Sequence, residues 1–227
     1  MKNRLFPLLC LCLSLVFCFC SCETGKRSFD YYVDDKDKTC LIAGPGDMNN
    51  VDLVIPEKID GYRVTLIEKL AFEGCSWINS VTIPSGVNKI GNSAFRGCSS
   101  LTAVYISDLG AWCEMEGINC LLGYNEDIDV YLNGKLITDP VIPNGTEKIS
   151  NYAFGGFDSL NSVTIPSSVT SFGYDVFAGC ENLATIFYDG TREEWKEITK
   201  QTGWDYNTGD YIVDCTNGTL AKEEASK

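Results

Sequence analysis

The 227 residues include 18 basic and 31 acidic side chains, for a formal charge of −13, with 44% apolar content, 22% charged content and no histidine. Such a composition belongs to a folded protein rather than a disordered one. The acidic balance argues against nucleic acid and anionic lipid surfaces as partners. The lack of histidine excludes Ser-His-Asp and Cys-His nucleophiles and His-containing zinc sites.

Lys2 and Arg4 precede an apolar run from Leu5 to Cys20, shorter than the about 20 residues of a membrane-spanning helix and suited to the core of a signal peptide. The run ends Phe19-Cys20-Ser21-Cys22-Glu23, which resembles a bacterial lipobox. Ser21 gives Cys22 the small neighbour that lipidation requires, whereas Cys18 and Cys20 each follow a phenylalanine. Phe19 departs from the aliphatic residue usual there, so secretion without lipid is the alternative. Residues 1–22 are read as a lipoprotein signal peptide with Cys22 as the lipidation site. Losing Lys2 and Arg4 with it lowers the basic count from 18 to 16 against 31 acids, a charge near −15.

Residues 23–40 read as a linker and capping hairpin, with Asp34-Asp35-Lys36-Asp37-Lys38 as its polar turn. That turn lacks the glycine and distal glutamate of a calcium-binding EF-hand loop. Beyond it, Val81 to Leu101 returns as Val163 to Leu183, and weaker copies surround Ile55 and Ile142. Self-similarity of this kind marks a solenoid in which each unit needs a neighbour to cover its apolar side. Four coils are anchored on Ile55-Pro56, Ile83-Pro84, Ile142-Pro143 and Ile165-Pro166. In each, alternating residues such as Val81 and Ile83 form a short strand that the proline ends, and Phe72, Phe95, Phe154 and Phe177 plug the interior.

A longer period is superimposed. Two coils, a helical segment around Trp112 and a hairpin at Asn133-Gly134 make a first module, residues 41–138. Two coils, Trp195 and Asn217-Gly218 make a second, residues 139–220. Asn-Gly between extended flanks is a strong hairpin signal, and the last hairpin is expected to cap the solenoid, followed by a disordered tail, residues 221–227. The fold class is thus a repeat solenoid, a mainly β superhelix of short strands with short helical turns.

The pattern Ile-Pro-x-x-Val-x-x-Ile-x-x-x-Ala-Phe-x-Gly-Cys-x-x-Leu resembles the BspA-like leucine-rich repeats of bacteria. Phe157 in place of cysteine, Pro140 in place of an apolar residue and Thr146 in place of valine predict an irregular third coil. The resemblance implies a curved binding solenoid in a family that includes bacterial surface adhesins, and it transfers no ligand; no cofactor is expected, and a glycan-binding lipoprotein or a non-catalytic structural spacer is the alternative. It suggests an extracellular or host protein as partner, with attachment through lipid to the outer membrane, exposed at the surface.

Five of twelve cysteines lie in the signal segment. Cys75, Cys98 and Cys180 share one repeat position and read as small core residues. Cys40, Cys113, Cys120 and Cys215 leave a disulfide pattern open, with Cys113–Cys120 favoured by proximity. The carboxylates Glu114, Glu116, Glu126, Asp127 and Asp129 could in principle flank a glycosidic bond, but an acidic surface is the commoner meaning in such a chain, and no enzyme is expected. Aromatics gather around Trp112 and Trp195. Both tryptophans are expected to bury against their own module, while Tyr105 with Asp108 and Tyr188 with Asp189 are expected to face solvent as candidate ligand contacts, for a protein or for stacking on a glycan.

Overall fold

The computed structural model describes residues 29–123 and 128–226; the signal segment, Cys22, Glu126 and Asp127 lie outside them. Strands β1 (Asp30–Asp34) and β2 (Thr39–Gly44) form the N-terminal hairpin. It reaches four residues beyond the expected boundary because β2 also pairs in parallel with the solenoid. The first module continues through β3 (Asp52–Val54), β4 (Lys58–Ile59), β5 (Tyr62–Ile67), β6 (Ser80–Ile83), β7 (Lys89–Ile90) and β8 (Ala103–Ile106). Helices α1 (Leu109–Glu114) and α2 (Asn119–Leu122) and the hairpin β9 (Asp129–Leu132) and β10 (Lys135–Leu136) complete it.

The second module contains β11 (Lys148–Ile149), β12 (Ser162–Ile165), β13 (Ser171–Phe172), β14 (Thr185–Tyr188), α3 (Arg192–Glu197) and β15 (Thr199–Lys200). Its end is β16 (Ile212–Cys215), β17 (Gly218–Ala221) and α4 (Lys222–Ala225).

Two ladders run along the solenoid. On the first side β3, β6, β8 and β9 pair in parallel. That sheet ends with β10 on β9, and in a separate sheet Val141 bridges Thr164 and β12, β14 and β16 pair in parallel until β17 closes the edge in antiparallel. On the second side β2, β5 and β7 pair in parallel and Lys89 bridges Glu116. A separate sheet of β11, β13 and β15 follows.

The path from β8 through α1 to Glu116 and α2 is therefore itself a coil, as is β14 through α3 to β15. In each a short helix replaces the proline turn. The expected count of two coils per module is corrected to three, because a coil is defined by its two ladder positions and not by the Ile-Pro letters.

The phenylalanines align in two stacks within the core. Phe72 lies on Phe95 at 5.1 Å and Phe154 on Phe177 at 5.4 Å, both near parallel. The repeated thiols fill the expected buried slots, and Cys98 and Cys180 donate to the carbonyls of Phe72 and Phe154, one coil earlier, at 3.2 and 3.0 Å. Burial pushes both thiols up to about 12. All seven cysteines of the described residues are buried and free. The expected Cys113–Cys120 bridge does not form: Cys113 lies fully inside, and the Cys120 thiol faces Asn92 Oδ1.

The third Ile-Pro coil is irregular as its letters imply. At Pro140 the strand shrinks to the single Val141 bridge, Thr146 is buried, and Phe157 packs edge-on against Phe154 in the absent cysteine's place. Where the second ladder crosses from β7 to Glu116, Gly117 adopts φ +82°, and a Cβ there would collide with the Ile90 carbonyl. Only glycine satisfies both conditions.

The two hairpins differ in detail. In β9–β10 the loop is Asn133-Gly134, both at positive φ as a type I′ turn requires. In β16–β17 Cys215 faces Gly218, so the loop is Thr216-Asn217 and glycine opens the return strand at φ +132°.

The expected disordered tail is corrected as well. Residues 222–225 form α4, with Ala225 buried and the Lys222 ammonium donating to the carbonyls of Thr208 and Gly209 at 3.0 and 3.1 Å. The small and charged letters concealed this, since the helix is held by tertiary bonds and not by an apolar stripe.

Candidate interaction surface

Because successive strand side chains alternate between faces, the first ladder presents two outward rows. In the first module one row is Val54, Thr82, Tyr105, Tyr131 and Leu136, aligned by register. In the second it is Val141, Thr164, Phe187, Asp214 and Thr219, beside a row carrying Ile212. Val54, Leu136, Val141, Phe187 and Ile212 are all exposed, Val141 to 67%.

Tyr105 stacks on Tyr131 at 5.0 Å, and the Tyr131 hydroxyl donates to Asp129 Oδ2 at 3.2 Å. The carboxylate of Asp129 raises the Tyr131 phenol above its ordinary value, because ionisation would set two negative charges side by side. Two neighbouring rings thus stand stacked on one another on the outward face. Asp52, Asp129 and Asp214 stand exposed on the same face.

The four candidate contacts separate on this geometry. Tyr105 lies on the face, half-buried. Tyr188 does not: it is 3% exposed and packs edge-on against Trp195 at 5.3 Å. Pairing of β8 and β14 in their own sheets makes Tyr105 equivalent to Phe187 and Ile106 equivalent to Tyr188. A one-residue offset moves a strand residue from surface to core, and aligning the two tyrosines by letter made that offset. Phe187 is the exposed counterpart that sequence reasoning missed, and strand alternation with buried Ile186 was the signal for it.

Asp108 is exposed and caps α1, its Oδ1 accepting from the Ala111 N–H at 3.0 Å. Asp189 is exposed just past β14, its N–H donating to the Ile165 carbonyl at 3.0 Å. Neither aspartate is brought beside a tyrosine hydroxyl.

The tryptophans are structural. Trp112 and Trp195 occupy the same place in α1 and α3 and are buried. Trp112 Nε1 donates to the Ala153 carbonyl at 2.7 Å, so it ties the first module to the second and does more than pack on its own. Trp195 Nε1 donates to the Ala225 carbonyl at 3.0 Å. Helix α4 therefore stands where the corner of a further coil would be. Lys200 donates to the carbonyls of Trp195 and Ile198 and lies over the Trp195 ring, and burial lowers its ammonium pKa.

The carboxylates considered for hydrolysis have other work. Glu114 Oε1 accepts from the Glu147 N–H at 3.1 Å, Glu116 pairs with Lys89 at 3.1 Å, and Asp129 holds Tyr131. Asp34 to Lys38 forms the β1–β2 turn, with Lys38 paired to Asp35. Among the described residues no group of three Cys, Asp or Glu side chains is placed to hold a metal ion, and no helix is long and apolar enough to cross a membrane.

No curated protein matches the chain. Among solved structures it is similar to a leucine-rich-repeat protein of T. pallidum, 24% identical over 73% of this chain and 60% of that one, with a TM-score of 0.36. A leucine-rich cell surface protein of Faecalibacterium prausnitzii is 20% identical over 73% of this chain and 54% of its own, with a TM-score of 0.38. A leucine-rich-repeat protein of Bacteroides ovatus is 20% identical over 83% of this chain and 55% of its own, with a TM-score of 0.44. The chain thus spans between one half and three fifths of the length of these structures. The BspA type leucine-rich-repeat region matches residues 51–112 and 129–202 in six copies, the number of coils that the ladders define. With more than half of its length accounted for by that region, the chain belongs to the BspA-type leucine-rich-repeat family.

Proposed function

We propose that this is an exported, lipid-anchored bacterial surface protein that binds another protein, of a host or a neighbouring cell, through the outward face of its first ladder. The observation that carries the reading is the line of Val54, Tyr105, Tyr131, Leu136, Val141, Phe187 and Ile212 along one side. Rigid aromatic and aliphatic groups in a row are the kind of side chain that anchors protein interfaces. Aspartates at the rim favour a partner whose complementary ridge carries basic residues. Lipidation at Cys22 would anchor the chain to a membrane.

The test uses purified protein against a panel of extracellular matrix proteins and polysaccharides. Saturable binding to a protein, weakened at least tenfold by Tyr105→Ala combined with Phe187→Ala, supports the reading. Binding that this pair of substitutions leaves unchanged, or binding to polysaccharide alone, overturns it. Protease shaving of intact cells addresses location: a chain protected until the membrane is broken removes adhesion from consideration. Cys22→Ala should release the protein from the membrane fraction if lipid is the anchor.

A further inference from the structure

The second ladder is interrupted between the modules, and the interruption leaves a groove. Lys89 bridges Glu116, but no pairing joins Glu116 to β11, whose ladder begins afresh. Instead the Ser150 N–H donates to the Cys113 carbonyl. The open space is about 490 Å³, within the range of small-molecule sites. Its floor is the buried pair Ile149 and Phe172, and Glu116, Lys148, Ser171, Tyr174 and Gln201 rise around it.

The chemistry of these walls is specific. Glu116 is already paired with Lys89, whereas Lys148 makes no ion pair among the described residues. Glu116 itself lines the groove and lies within electrostatic reach of Lys148, so two ammonium groups meet one carboxylate there and the local balance is positive in a chain of charge −13. Tyr174 is 50% exposed, and its backbone is fixed by donating to Asn151 Oδ1 at 2.9 Å, so the ring is presented rather than packed away. Ser171 and Gln201 add a hydroxyl and a carboxamide with no hydrogen bond to the rest of the described residues.

We propose that this groove binds a hexuronate unit of an acidic polysaccharide. The Lys148 ammonium meets the sugar carboxylate, the Tyr174 ring lies against the apolar C–H face of the pyranose, and Ser171 and Gln201 bond ring hydroxyls. A flat aromatic surface beside planar amide and hydroxyl groups suits a sugar ring better than a peptide. The site is on the other ladder from the protein-binding face and stands or falls independently of it.

Galacturonate and galactose differ only at C6, so titrating each into the purified protein while following the backbone amides of Gly173, Tyr174 and Gln201 by NMR isolates the carboxylate. Saturable shifts with galacturonate, and at least tenfold weaker response to galactose, are expected. Lys148→Gln and Tyr174→Ala, both at exposed positions, should each weaken galacturonate binding about tenfold with an unchanged melting temperature, and Tyr105→Ala should leave it intact. Equal response to the two sugars, equal response to acetate alone, or indifference to Lys148→Gln would overturn the proposal, as would the absence of shifts with galacturonate.

Discussion

The two modules share one backbone plan and fill it differently. Ile90, Ile106 and Ile128 of the first stand where Phe172, Tyr188 and Tyr211 stand in the second. In the second module these rings join Trp195 and Trp204 in edge-on contacts, with Phe172 5.6 Å from Trp195 and Trp204 6.1 Å from Tyr211. Ladder and corner geometry are indifferent to whether the filler is aliphatic or aromatic, provided it is apolar and faces in. What differs is the neighbour. The first module is covered by the second, while the second is covered by β17 and α4 and fills its end with wider side chains.

That contrast can be broken most severely at Trp112. Trp112→Ala removes a buried indole and leaves the Ala153 carbonyl without its donor, at a cost of about 3–5 kcal/mol. Because the indole joins the modules, thermal unfolding monitored by tryptophan fluorescence and by circular dichroism should separate into two transitions. Trp195→Ala, of similar cost, should keep one transition, and coincident behaviour in both variants would show that the joint lies elsewhere.

Ending the chain after Leu220 tests the cap more gently. It strands the Trp195 N–H and removes Ser226 Oγ from beside the Tyr211 hydroxyl, which keeps its bond to Asp205 Oδ2 at 2.7 Å. A loss of about 1–3 kcal/mol in urea unfolding is expected, and no loss would mean that water replaces α4 at no cost. Phe172→Ile writes the first module's residue into the second and should cost about 1–2 kcal/mol. A neutral result would show that the aromatic end is not needed for closure.

The smallest effect concerns the helix starts. In α3, Thr191 and Glu194 form a reciprocal capping box, whereas in α1 Asp108 caps without a return bond. The Thr191 N–H and hydroxyl, both donating to Glu194, hold its carboxyl below the usual glutamate value. A depressed carboxylate contributes stability above its unfolded pKa and loses it as pH falls through the folded value. The Thr191 amide resonance should therefore shift with a midpoint below the ordinary one, and a midpoint at or above it would mean that the box is open in solution.

Much of this architecture was legible in the letters. Alternating Val-x-Ile before proline, and Ala-Phe-x-Gly at the corner, specify strand, stop and plug in sequence order, and they located the coils and both Trp helices. The third coil of each module was not legible, because a helix there performs the turn that proline performs elsewhere. Tyr188 was misplaced by one residue of register, which similarity of side chain cannot detect and alternation can. The groove beside Lys148 was hidden for a different reason: it is made by a missing pairing between ladders, and absence of pairing has no motif.

Helix α4 offers the Trp195 indole a carbonyl in the way that the Ala153 corner offers one to Trp112. Trp195 cannot distinguish a stopper from a successor, so the stopper is portable. Whole coils could be spliced in or lost upstream while the same terminal piece continued to seal the stack, which frees the length of such a protein to vary in steps without redesign of its end.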